Sequence, residues 1–274
     1  MNRYGPRTFA LEIVFVLLGV VALFPIYILV TVAFKSPPAV AESTLAPPPE
    51  LYLDNFVTAW TEADLLAALV QTAFITALSV AGLVALGSAA AYGLVRGAGR
   101  MHRLLLLFIT LGITIPIQLG MVPLYQLMRD LHLLQTPWSV IIFSVGSQLP
   151  ITVFLYSGFL AVQSREYEEA ARVDGANGFQ TFSRIVFPLL RPITGTVIIL
   201  SSIHVWNDFL TPLLYLSGSD ARTLTVAIFS FRGEFATQWG IVFAGILIAI
   251  IPVVTLFFLL QKYVIKGFAS GLKG

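Results

Sequence analysis

Cysteine is absent from all 274 residues, which excludes disulfides and thiolate metal sites. Charge is scarce as well: 11% of the residues are Asp, Glu, Lys or Arg against 57% hydrophobic, and mean hydropathy is +0.88. That balance lies far outside a soluble globular domain. No GxxxxGK[ST] run occurs, so the chain carries no phosphate loop with which to bind and hydrolyse ATP. No cluster of Lys and Arg marks a nucleic-acid surface, and the net charge is only +2. His102, His132 and His204 are too scattered for a metal motif, and the acidic stretches lack the spacing of a calcium loop. Ser201, His204 and Asp208 superficially suggest a hydrolytic triad, but all three fall on one helix with no oxyanion hole in view. The chain reads as a non-enzyme.

What is there is hydrocarbon. Runs long enough to cross a bilayer core, which takes about 20 helical residues, occur near 10–34, 69–95, 104–128, 137–161, 191–217 and 238–264. The runs are continuous, whereas a membrane barrel shows short alternating segments. The expectation is an all-α, polytopic helix bundle of six spans in one domain, 1–274. One set of tails and loops holds Arg3, Arg7, Arg96, Arg100, Arg103, Arg165, Arg172, Arg184, Arg191, Lys262, Lys266 and Lys273, while the other holds only Lys35, Arg129, Arg222 and Arg232. By the excess of basic residues on the inner side, both termini and the long polar loop near 163–190 are cytoplasmic. Residues 10–34 exceed the apolar core of a signal peptide, so this run is expected to remain as the first span.

The external loop 35–68 is rich in proline (Pro37, Pro38, Pro47, Pro48, Pro49), which predicts an extended start. From Leu51 an amphipathic pattern with Phe56 and Trp60 four apart predicts a short helix on the outer membrane surface, its aromatics serving as interfacial anchors. Gly93 and Gly97 are spaced for close helix approach. Pro116 and Pro123 predict a kinked third span inside the bundle.

One segment stands apart from the grease: Ser164 to Pro188, reading SREYEEAARVDGANGFQTFSRIVFP. Ser164 can cap a helix whose first turn holds Glu166, Glu168 and Glu169, acids suited to a helix N-terminus. Tyr167, Ala170, Ala171 and Asp174 then share one face. Gly175 can take the left-handed conformation that ends a helix, Asn177-Gly178 supports a turn, and Phe179, Phe182, Ile185 and Val186 lead to Pro188 in a second helical segment. The face is shaped for docking, because an acidic first turn is repelled by anionic lipid.

Glu169-Ala170-Ala171 with Gly175, Ile185 and Pro188 resembles the EAA loop of ABC importer permeases, and EAARVDGA is especially close to the sugar-importer branch. IPIQLGMVPLYQLMRDLHLLQT, LPITVFLYSGFL and WNDFLTPLL look like the same branch, and the C-terminal IKGFASGLKG is similar to the tail of its second, maltose-type permease subunit. The resemblance covers nearly the whole chain. Phe187 departs from the usual leucine before the proline, and Val162-Gln163 from the frequent Ile-Pro. It implies a type I importer permease in a bacterial or archaeal cell membrane, with a second permease subunit, an ATPase dimer and an extracytoplasmic sugar-binding protein as partners, surrounded by membrane lipid. ATP and magnesium would sit on the ATPase, with no cofactor on this chain. Glu168, Glu169, Ala170, Ala171, Asp174, Gly175, Ile185 and Pro188 would dock the ATPase, and the tail Gly271 to Gly274 would reach its interface.

The fifth run carries Ser201, His204, Asp208, Thr211 and Tyr215 at three- and four-residue steps, with Asn207 beside them. An ionised Asp208 facing lipid costs about 2.5–3.5 kcal/mol even on a lenient scale, so it faces water, a partner or a cavity. Two readings stand for Asn207 and Asp208: lining of a solute pathway, or a hydrogen-bond network that bends the span near Pro212. Thr114 with Gln118, and Ser144, Gln148 and Thr152, form matching stripes on the third and fourth runs. Uncharged amides and hydroxyls suit a polyhydroxylated solute, with Trp206 or Tyr156 offering a ring face. The expected function is import of a sugar. Another small solute, such as a polyol, phosphate ester or polyamine, is the alternative, and a secondary transporter is disfavoured because Asp208 is the only carboxylate available near the midplane.

Overall fold

A long apolar segment in lipid must satisfy every backbone group internally, and a helix does so without a partner strand. The computed structural model describes residues 6–234 and 238–271, and among them every regular element is helical. In chain order these are α1 (Pro6–Ala33), α2 (Pro37–Glu42), α3 (Asp54–Glu62), α4 (Leu65–Arg96), α5 (Arg100–Leu111), α6 (Met121–Asp130), α7 (Pro137–Ala161), α8 (Glu166–Val173), α9 (Gly178–Gln180), α10 (Phe187–Leu189), α11 (Arg191–Trp206), α12 (Leu210–Tyr215), α13 (Leu224–Glu234) and α14 (Trp239–Gly271). Two 3₁₀ turns, Gly112–Thr114 and Ile117–Gly120, separate α5 from α6, and a π-helical turn, Thr181–Val186, separates α9 from α10. Within α1, α4, α7 and α14, four stretches are long and apolar enough to cross a membrane, and two bent pairs bring the number to six if each pair is one span. The chain divides into two compact units, Met1–Ala67 with Ala227–Ile251, and Ala68–Val226 with Pro252–Gly274.

In the first unit, α1 is apolar on every side and its spanning stretch is unburied, as a helix clothed in lipid would be. Its end is pinned. Asn55 on α3 is buried and donates through Nδ2 to the carbonyls of Ala33 (2.9 Å) and Lys35 (2.8 Å). Phe56 lies against Phe34 with ring centroids 4.8 Å apart. The buried face of α3 is therefore Asn55 and Ala59; Phe56 is half-buried on a neighbouring ring, while Trp60 stays exposed. A Cβ at Gly240 would lie 2.5 Å from Asn55 Nδ2, so the start of α14 approaches α3 only because position 240 has no side chain. The proline-rich loop also departs from an extended start. Pro37 and Pro38 open α2 from its first turn, where a missing N–H costs nothing.

The second unit holds the two polar regions. Tyr156, Val153 and Leu160 on α7 pack with Val186, Leu190, Ile193 and Val197 in one cluster, and Ile75, Met128, Val140, Phe143, Val205 and Tyr215 form another. Gly87 lets α4 meet α7, since a Cβ there would lie 2.3 Å from Thr152 Cγ2. Gly93 meets nothing within 4 Å and Gly97 faces His102 of its own turn, so the expected glycine contact is made one helical stretch earlier. The third run bends by 95° at Ile115-Pro116, sharper than a kink, because proline removes a donor and forces its predecessor out of the helical region. The fifth run breaks at Asn207–Phe209 between α11 and α12, ahead of Pro212.

Candidate functional site

The break in the fifth run creates the first of two candidate regions. Asp208 lies just before α12, and its Oδ1 accepts from the Thr211 amide at 3.2 Å, satisfying one of the donors a helix start leaves open. Its backbone carbonyl, left free by the break, accepts from Thr225 Oγ1 at 2.8 Å. Around this turn lies a cleft of about 200 Å³ lined by Gln118, Ser144, Ser147, Gln148, His204, Asp208 and Thr211 with Ile117, Met121, Phe143 and Leu210. Three sequence stripes thus meet at one place. Among the described residues no side-chain hydrogen bond is made by Gln118, Gln148 or His204. Their polar atoms are available to a visitor.

Other members of those stripes are used elsewhere. Thr152 is buried, donates to the Gln148 carbonyl at 2.9 Å and packs on Gly87. Asn207 is exposed and donates to the Ile203 carbonyl at 2.8 Å, outside the cleft. Ser201 and Tyr215 are buried, and Thr114 donates to the Leu111 carbonyl at 2.7 Å. Tyr156 is fully buried with its hydroxyl 3.1 Å from Thr194 Oγ1, and Trp206 is buried too, so neither offers a ring face.

The polar island forms the second region. Ser164 Oγ accepts from the Glu166 amide at 3.2 Å, but it stands one residue ahead of the cap position expected for it, since Arg165 takes the N-cap of α8 without a side-chain cap bond. Gly175 closes the helix at φ +85°, with the Ala176 amide reaching the Ala171 carbonyl at 2.9 Å; this is the paired C-terminal bonding that a left-handed glycine allows. Asn177 and Gln180 cap each other's backbone at 2.9 and 3.0 Å, which starts the next segment. That segment is a π-helical turn followed by α10, and at Leu189–Arg191 it turns by 75° into α11. Phe182 lies against Tyr92 of α4 at 5.3 Å.

Glu168 does not face outward with its neighbours. It is 4% exposed, and its Oε1 accepts from Arg96 Nε at 2.7 Å, while Arg96 Nη2 reaches the Gln163 carbonyl at 3.2 Å. The last turn of α4 therefore grips α8 through a dry ion pair, and the side chain expected to meet a partner is engaged within the chain. What α8 and its cap leave open is Glu166, Tyr167, Glu169, Ala170, Arg172, Val173 and Asp174, with Ala171 half-buried beside them. Phe179 on the following turn is 79% exposed, and Ile185 and Pro188 are half-buried. Of the tail residues Gly271 to Gly274, 272–274 lie outside the described residues.

Sequence reasoning also missed a clasp at the opposite ends of these helices. His132 and Gln135 have φ of +54° and +61°, an uncommon state for residues with a side chain. The Gln135 amide donates to Tyr215 O at 2.7 Å and its Nε2 to Ser217 O at 3.2 Å. Gly218, at φ +85° and too close to Gln135 for a Cβ, was the one available sign.

Broken apolar helices, a polar cleft at the break and a structured loop between two spans are features of a membrane permease. Residues 83–270 match the family described as binding-protein-dependent transport system inner membrane component, and the chain belongs to that family. It is 37% identical to the melibiose/raffinose/stachyose import permease protein of Bacillus subtilis over 269 residues, 97% of each chain. It is 31% identical to the multiple sugar-binding transport system permease protein of Streptococcus mutans over 92% of each chain. The crystal structure of a bacterial ABC transporter involved in import of the acidic polysaccharide alginate superposes with a TM-score of 0.82 at 25% identity, covering 96% of this chain and 99% of the other. The fold is that of a type I ABC importer permease.

Proposed function

We propose that this chain is the second permease subunit of an ATP-driven importer that receives a neutral sugar from an extracytoplasmic binding protein and releases it into the cytoplasm. The observation that carries this reading is the cleft at the α11–α12 break. Its polar lining is amide, hydroxyl and imidazole, its one carboxylate is spent on capping α12, and it holds no Lys or Arg. Such groups exchange hydrogen bonds with sugar hydroxyls, whereas a phosphate ester asks for cations and a polyamine for several carboxylates. The sugar-importing relatives, similar over almost the full length, support the same cargo class.

Energy enters from a separate ATPase dimer, which carries ATP and magnesium. Residues 163–190 form the coupling loop of the single permease domain 1–274, with both termini cytoplasmic. The exposed face of α8, from Tyr167 through Glu169 and Ala170 to Asp174, docks in a groove of the ATPase, with Ile185 and Pro188 supporting it from behind. When ATP closes the dimer, α8 moves, and the Arg96 grip carries that motion into α4. The bent segment running into α11 carries it to the break, where the cleft lies. Alternating access then needs no chemistry on this chain.

The test is reconstitution of this chain with its partner permease, ATPase and binding protein in liposomes. An α-galactoside such as raffinose should accumulate only with ATP. Accumulation of a polyamine or phosphate ester in its place would overturn the cargo, and uptake driven by an ion gradient without ATPase would overturn the class.

A further inference from the structure

A second cleft, unrelated to cargo, lies at the coupling-loop end of the helices. It measures about 640 Å³ between the end of α4, the start of α5 and the last turns of α7. Its rim carries three basic side chains, His102, Arg103 and Arg165, and its lining contains no Asp or Glu. Deeper in, the wall becomes apolar: Leu106 and Leu107 lie about two turns into α5, and Phe154 lies two turns up α7 from Ala161. At 1.5 Å per residue, Arg103 and Thr110 are about 10 Å apart along the helix, so the cleft passes from charge to hydrocarbon over the depth at which a bilayer does.

Two polar atoms here lack a partner. Ser157 Oγ and His102 Nδ1 are buried without a hydrogen bond, and Ser157 is only 7% exposed. A buried hydroxyl left open costs about 1–3 kcal/mol, so this wall of the cleft holds polar groups that the chain itself does not satisfy. Gly97 keeps the entrance open: any Cβ there would lie 2.1 Å from the His102 ring and drive it toward the cleft. Arg165 is held loosely, its guanidinium 3.5 Å from the Val95 carbonyl, with donors to spare.

We propose that this cleft binds an anionic phospholipid of the adjoining leaflet, its phosphate between Arg103, Arg165 and His102 and one acyl chain along Leu107 and Phe154. Basic pockets between spanning helices on the inner side attract such headgroups, and a free phosphate would leave the apolar depth of the cleft unused. The site adjoins the entry to α8 through Arg165, so an occupied cleft stiffens the segment through which the coupling loop is hung. The inference uses the membrane placement of the chain and is independent of its cargo.

The assembled transporter, purified in detergent, is titrated with phosphatidylglycerol or phosphatidylcholine and examined by native mass spectrometry. One phosphatidylglycerol per copy of this chain should be retained preferentially. Arg103→Gln with Arg165→Gln should weaken retention roughly tenfold or more, on the order of one decade for a pair of charges near a membrane. Gly158→Trp, at a position where a Cβ meets nothing within 4 Å, should block the chain while leaving the charges in place. Equal retention of both lipids, or unchanged retention in both variants, overturns the proposal. Displacement by inorganic phosphate alone would make the ligand a soluble anion and overturn the lipid. The chain lacks cysteine, so a single Leu107→Cys can be introduced; its full crosslinking to the partner permease would make the cleft a subunit contact. Sugar uptake is read separately, and its loss with lipid retention intact would bear on the cargo reading alone.

Discussion

The loop 163–190, proposed to couple to the ATPase, and the cleft at the α11–α12 break are both polar regions in an apolar chain, yet they use their polar groups in different ways. In the loop the capping groups are consumed in holding the loop in shape: Ser164 on Glu166, Asn177 and Gln180 on each other, and Glu168 on Arg96 of α4. What remains outward is Tyr167, Ala170 and Val173 among three acids, Glu166, Glu169 and Asp174, and one base, Arg172. In the cleft Asp208 bonds the Thr211 amide and Ser147 bonds the Ser144 carbonyl, but Gln118, Gln148 and His204 have no side-chain partner among the described residues. An element that transmits force has to be stiff before its partner arrives. A pathway that must release its cargo keeps its hydrogen bonds uncommitted.

On the proposed function the contrast predicts that loop substitutions cost stability or coupling, while removing an uncommitted cleft group costs transport with little loss of stability. The largest effect belongs to Glu168→Ala. It strands the Arg96 guanidinium, 7% exposed, and breaking a buried pair in this way costs about 3–5 kcal/mol. Thermal unfolding in detergent should fall sharply, while Arg96→Met with Glu168→Met should regain most of the loss. An unchanged midpoint in the single variant would mean that α8 is not held by α4.

Gly175→Val comes next. Valine at φ +85° costs roughly 1–2 kcal/mol for the left-handed backbone, and more for a branched side chain. The Schellman closure fails, α8 is misdirected, and ATP-dependent uptake is abolished while membrane insertion is retained. Uptake at the wild-type rate, at equal membrane abundance, would remove the loop from the coupling path.

The loop was also the more legible of the two regions in the sequence, for a local reason. Caps, a left-handed glycine and an acidic first turn act within a few residues, so Ser164, Gly175 and Asn177 announce themselves in order. What the sequence could not show was which glutamate turns inward. Glu168 is selected by Arg96, 72 residues away, and its neighbours Glu166 and Glu169 have the same chemistry. The spans were legible as apolar runs, and bends were expected at Pro116 and near Pro212, but not how sharp they are or where the fifth run opens. Pro116 breaks its span where a kink was expected, and the fifth run opens at Asn207–Phe209, ahead of Pro212, because the freed carbonyl of Asp208 finds Thr225 and its carboxylate finds Thr211. The stripes brought Gln118, Gln148, His204 and Asp208 to one place; Thr152 and Asn207 fell off because helical spacing does not say which neighbour, Gly87 or none, stands opposite.

Asp208 separates its two roles by substitution. Asn caps a helix as well as Asp does, whereas Ala costs about 1 kcal/mol at such a position. Asp208→Asn should therefore keep both stability and uptake, and Asp208→Ala should lose a small amount of each. Failure of uptake with the asparagine variant at normal stability would show that the charge itself acts in the pathway.

The smallest structural effect, and the most direct probe of the cleft, is Gln148→Ala. With no internal partner to strand, the change should move the unfolding free energy by less than about 0.5 kcal/mol. A lost hydrogen bond to an uncharged hydroxyl is worth about 0.5–1.5 kcal/mol, so the half-saturation of uptake should rise roughly two- to tenfold. Maximal ATPase activity stimulated by the loaded binding protein should stay the same, since the loop is untouched. The same variant combined with Glu168→Ala should show additive losses, as expected for sites without shared partners. If Gln148→Ala instead lowers stability and leaves uptake unaltered, the amide belongs to the packing of α7 and the cleft has no claim on the cargo.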